Sequence, residues 1–126
     1  MNESLFVKYQ PNKHRCGDCV VRALTKAENL TWIEAYDVLC NVGRRLQCMP
    51  NDKATYEDLL KTLGYKKISI KPVKGSTRGT VQEWAEKHPT GTFVLSVSNH
   101  LVCVKDGHYY DSWDCGFKSL YTVWEK

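Results

Sequence analysis

The chain predicts an α+β fold, with a helical half over about 1–64 and a strand-rich half over about 65–126. Three observations carry this. Capping signals and helical apolar spacing fill the first half. Short alternating apolar runs fill the second. Asp106-Gly107 separates two of those runs by two residues, a strong hairpin signal. Helices followed by an antiparallel meander imply helices packed against one face or end of an antiparallel sheet. At 126 residues the chain fits one domain.

Residues 5–10 (LFVKYQ) read as extended. Asp18 is placed to cap a helix over 19–28, whose core face holds Val20, Val21, Leu24 and Ala27. Thr31 and Glu34 form a capping box, so a second helix starts at Trp32. Its inner face reads Trp32, Tyr36, Leu39, Cys40 and Gly43. A third helix over 53–63 spaces Tyr56, Leu59, Leu60 and Leu63 on one side and stops at Gly64. Residues 66–71 alternate as a strand, and 75–79 read as a loop. Thr80 and Glu83 mark another capping box, with a helix over 81–88 that Pro89 ends. Strands follow over 92–97, 100–105, 108–113 and 120–125, with Ser98-Asn99 turning the chain between the first two.

Composition narrows the function classes. Apolar residues at 42% supply a core without disulfide or metal staples. The net charge of +4 is dispersed, with no basic stripe, which argues against nucleic acid as a partner. No apolar run approaches membrane-spanning length, and the first residues lack a secretory pattern. The expected location is therefore cytoplasmic, with no membrane partner. In a reducing compartment the six cysteines read as thiols and not as a disulfide framework.

The hairpin turn allows a register to be calculated. With Asp106-Gly107 as the turn, Lys105 faces His108, Val104 faces Tyr109, Val102 faces Asp111 and His100 faces Trp113. His100, Val102, Tyr109, Asp111 and Trp113 then share one face. His100 and Asp111 are diagonal neighbours, within reach of each other's side chains. A carboxylate so placed fixes an imidazole tautomer and stabilises its protonated form. Cys19, in GDCVV, opens the first predicted helix. Helix N-terminal N–H groups and the helix dipole favour thiolate over thiol.

Other readings stand beside this one. Cys16 and Cys19 form a CxxC, which suits a redox pair, or zinc together with His14, Cys40 or Cys48. The redox reading lacks the βαβ context, and the zinc reading lacks a second paired spacing. Cys103 alternates away from His100 and reads as core. Asp114 is a rival orienter beyond the strand end. Trp113 walls a substrate groove, shields the His–Asp pair or packs in the core. Arg22 reads as a solvated helix residue.

CGDCVVRAL, then TW-x-EAY, then MPND-x-ATYEDLLKTLGY, then GTF-x-LSVSNHLVCVKDGHYYDSWD occur in that order along nearly the whole chain. This succession resembles the small papain-like cysteine peptidase-like proteins of phages and Gram-positive bacteria, related in architecture to bacteriocin-processing peptidases. The resemblance implies a papain-like fold, with Cys19 as nucleophile, His100 as base and Asp111 as orienter. It implies a peptide or protein substrate and no metal or organic cofactor. Those peptidases carry an oxyanion-hole Gln upstream of the Cys. The corresponding position here is Lys13, which leaves Gln10 and Asn12 as oxyanion candidates. A catalytically inactive binding protein on the same fold, such as a phage-encoded inhibitor of a host system, is the alternative.

Overall fold

The computed structural model describes residues 4–14, 16–72 and 78–126. Most of the expected 75–79 loop lies outside them. In chain order the elements are β1 (Phe6–Lys8), α1 (Cys19–Glu28), α2 (Trp32–Leu46), α3 (Lys53–Thr62), β2 (Lys66–Ser69), α4 (Val81–Lys87), β3 (Thr92–Val97), β4 (His100–Lys105), β5 (His108–Asp111) and β6 (Thr122–Glu125).

The class is α+β, but the sheet is mixed and not a simple antiparallel meander. Its six strands run β1-β5-β4-β3-β6-β2. β1 pairs in parallel with β5, Phe6 opposite Tyr109. β6 inserts between β3 and β2, with Val123 opposite both Leu95 and Ile68. The β4–β5 register follows the turn as calculated: Lys105 opposite His108 and Val104 opposite Tyr109. β5 ends at Asp111, so Trp113 lies beyond the strand and not within it.

The period-two alternation of β3 divides the core. Val94 packs with Leu101, Cys103 and Trp124 against Val20, Leu24, Leu39 and Leu60 of the first three helices. Phe93, Leu95 and Val97 pack with Val102, Val104, Tyr109 and Val123 against Val81 and Ala85 of α4. Both faces are covered, and the central strands therefore read as nearly continuous apolar runs. The helices are not confined to one face: α4 covers the side opposite α1.

Two local expectations shift. The buried side of α2 is Ala35, Leu39 and Gly43, while Tyr36 is exposed and stacks on Trp32 at 5.2 Å between ring centroids. Apolar residue type alone had rotated that face. Gly43 is required there, because a Cβ would come within 2.6 Å of the Cys48 carbonyl oxygen where the chain folds back. The Thr31–Glu34 capping box is present in both directions. At α4, Thr80 accepts the Glu83 N–H. Asp18 precedes α1 but makes no side-chain cap, because its carboxylate is engaged elsewhere.

Candidate functional site

Cys19 is the first residue of α1, His100 the first of β4 and Asp111 the last of β5. α1 is held on the sheet by its buried face, Val20, Val21, Ala23, Leu24 and Ala27. That packing sets its N-terminus beside the start of β4. The turn before His100 is closed by Asn99 in the left-handed region, φ 51°. The Asp106-Gly107 turn then brings Asp111 back alongside, both turn residues having positive φ.

His100 Nε2 hydrogen-bonds Asp111 Oδ2. The Cys19 thiol lies beside His100, and both residues line two clefts. Burial pushes the Cys19 thiol up, but the neighbouring His100 imidazole, the Leu101 backbone and the charge of Arg22 outweigh it, and its pKa falls below the ordinary thiol value. Burial also works against a charged His100. The Asp111 carboxylate and the neighbouring Cys19 overcome that and push His100 up to about 9. For Asp111, burial raises the pKa, and the neighbouring His100, Cys115 and Ser112 backbone more than reverse it. The surroundings thus shift all three groups toward their charged forms, thiolate, imidazolium and carboxylate.

Asp111 is fully buried and well supplied with donors. Oδ1 accepts the Ser112 N–H at 2.8 Å and forms an ion pair with Arg22 Nη2 at 3.1 Å. Arg22 is not solvated, as helix position alone suggested. It is 5% exposed, and its other terminal nitrogen donates to Asp18 Oδ1 at 2.6 Å. Asp18 Oδ2 accepts the Trp32 indole N–H at 2.8 Å. The sequence signal for Arg22 was its four-residue spacing from Asp18. Nothing local announced the ion pair with Asp111.

The remaining expected residues sort clearly. Trp113 lies over His100, ring centroids 4.9 Å apart, and is 36% exposed. Asp114 does not reach His100. It accepts from Tyr109 Oη at 2.5 Å and the Gly116 N–H at 3.0 Å, which pins the loop that carries Trp113. Gln10 lines the same cleft as Cys19 and His100. The Asn12 side chain instead donates to the His14 carbonyl and toward Cys16 Sγ, and it is not among the residues lining either cleft at Cys19. Cys103 is wholly buried on the opposite face from His100.

Two open clefts meet at the thiol. One, of about 430 Å³, runs past Asn51, Lys53, Tyr56 and Ser96. The other, of about 400 Å³, runs past Gln10, Arg22, Ser112 and Trp113. Gly17, Cys19, Asn51, Asn99 and His100 line both. A thiolate–imidazolium pair at such a junction can attack an electrophilic carbon and return a proton to a leaving group.

His100, Asp111 and Cys115 also place possible ligand atoms within 4.8 Å of one another. The fit to a metal is poor. Metal ligation needs a thiolate, and burial, with the Asp111 carboxylate, pushes the Cys115 thiol far up. The Asp111 oxygens are already taken by hydrogen-bond donors.

No family model, curated protein or solved structure matches this chain. No helix among the described residues is long and apolar enough to cross a membrane.

Proposed function

We propose that the protein is a papain-like cysteine hydrolase acting on a peptide or isopeptide bond. One observation carries the reading: His100 is bonded to a buried carboxylate and lines, together with a thiol that opens a helix, the junction where two clefts meet. The chain order of thiol-bearing helix, then His and Asp on successive strands, supports the papain-like assignment.

The Cys19 thiolate adds to the carbonyl carbon, and the carbonyl electron pair moves onto oxygen. First-turn amides of α1 have no intrahelical partner and suit that oxyanion. Gln10, beside the same cleft, is the side-chain candidate for a second donor. Collapse of the adduct breaks the C–N bond, and the leaving amine takes the His100 proton. A water then loses a proton to His100 and attacks the thioester, which restores Cys19 and releases the acid. Asp111 holds the imidazole and stabilises its cationic form throughout. The two clefts would hold the chain on either side of the scissile bond. No step calls for a metal or organic cofactor, and the cytoplasm suits a free thiolate.

The test is competitive labelling. One equivalent of iodoacetamide at pH 6 is expected to modify Cys19 ahead of the exposed Cys16, located by mass spectrometry. In His100→Ala that preference is expected to fall at least about tenfold, because burial then acts on the thiol without its strongest counterweight. Equal labelling of Cys16 and Cys19, unchanged by His100→Ala, would refute the hydrolase and favour a non-catalytic binding protein.

A further inference from the structure

Arg22 is a buried cation that the proposed chemistry leaves without a task. Its guanidinium spans two carboxylates, Nη1 to Asp18 and Nη2 to Asp111, with all three side chains at most 7% exposed. The groups form a line of alternating charge: Asp18, Arg22, Asp111, His100, Cys19. Trp32 of α2 closes the far end through Asp18.

Stability alone is a weak account of this line. Taking two carboxylates and a guanidinium out of water costs several kcal/mol per ion, and apolar side chains of similar volume often fill such a site without loss. Geometry suggests another use. A carboxylate has two equivalent oxygens and turns easily about its last bond. Arg22 and the Ser112 N–H both occupy Oδ1, and this leaves Oδ2 directed at His100.

We propose that Arg22 is a positioning residue, whose two-pronged guanidinium, anchored on Asp18, fixes the Asp111 carboxylate toward His100. The inference rests on the hydrolase reading of the site. It requires the fork and not merely the charge. Lysine offers a single point charge on a flexible stem and cannot span two carboxylates in fixed geometry.

The measurement is the pH dependence of Cys19 alkylation by iodoacetamide in folded protein. A purely structural Arg22 would alter the urea midpoint but leave that profile in place. Arg22→Lys is expected to slow alkylation at pH 6 by about three- to tenfold and to move the profile to higher pH, the response to a change of up to about one pKa unit. Arg22→Gln, which loses the charge as well, is expected to slow it by more than about tenfold. Asp18→Asn keeps Arg22 and Asp111 but weakens the anchor, and is expected to shift the profile in the same direction as Arg22→Lys. These two milder variants decide the matter if Arg22→Gln does not fold. Profiles for Arg22→Lys and Asp18→Asn that match the wild type would overturn the proposal. Failure of the hydrolase reading looks different: wild-type Cys19 itself would then react no faster than Cys16.

Discussion

Replacing Asp111 by Asn changes the charge at the centre of the site while keeping its shape. An imidazole raised from 6.5 to about 9 carries about 3–4 kcal/mol of preference for its cationic form, at about 1.4 kcal/mol per unit. The His100 side chain is only 9% exposed, so solvent screening takes little from that figure. Asp111 supplies the foremost raising contribution. In Asp111→Asn the amide oxygen can still accept from His100, but burial is then opposed mainly by Cys19. The midpoint of His100, followed by NMR of the ring Cε1–H, is expected to fall by at least about one unit, and Cys19 alkylation at pH 6 to slow by about tenfold or more. The sign of the stability effect follows. A raised His100 contributes stability that is complete below the ordinary value of 6.5 and is lost as pH rises through about 9. The stability gap between wild type and variant should therefore narrow as pH passes that point. At pH 7 the variant leaves Arg22 facing a neutral amide. Breaking a buried ion pair costs about 3–5 kcal/mol, a fall of about 2 M in the urea midpoint for a small domain. A His100 midpoint that stays near 9 in Asp111→Asn would refute the electrostatic account of the site.

Two further perturbations probe how the site is held. Gly107→Ala forces a side chain onto a residue with φ +80° and places its Cβ 3.2 Å from Pro89 Cα. It should cost about 1–3 kcal/mol in denaturant unfolding and lower Cys19 reactivity through the His100–Asp111 register; an unchanged midpoint would contradict the turn's role. Trp113→Ala, at a partly exposed ring, should change the melting temperature little while slowing an aryl-bearing thiol probe several-fold more than iodoacetamide. Equal slowing of both probes would remove Trp113 from the groove.

The hairpin half of the site was legible because two local rules sufficed. Asp106-Gly107 fixed the turn, and period-two alternation then placed His100 and Asp111 on one face without reference to the rest of the chain. The start of α1 at Cys19 was equally local, since the GDC segment precedes an apolar helical run. The sheet order was not local. The parallel pairing of β1 with β5 and the insertion of β6 between β3 and β2 join segments distant in sequence, and nothing in the short runs FVK or TVWE names a partner. α2 failed in a different way. Tyr36 and Cys40 count as apolar by type, yet the Tyr36 ring finds its contact by stacking on Trp32 at the surface. Arg22 was misread because an arginine on a short helix is usually solvated, and the carboxylate that buries it arrives only when β5 folds back beside α1.

That misreading points to how the site is assembled. Cys19 and Arg22 are three residues apart on α1, so they project to the same side of the helix. One rigid element therefore delivers the thiol to His100 and the guanidinium to Asp111. The other two groups come from a single hairpin whose register is set by its turn. The relative placement of all four then depends on one interface, the packing of α1 on β4. Val20, Leu24 and Ala27 meet Leu101 and Cys103 there in the same buried cluster. A shift of α1 along the sheet would disturb the thiol–imidazole contact and the carboxylate clamp together. Core packing in this protein thus sets the geometry of the charges. Cys103, buried in that layer with its thiol pushed up to about 12 by burial, acts as packing and not as a competing nucleophile.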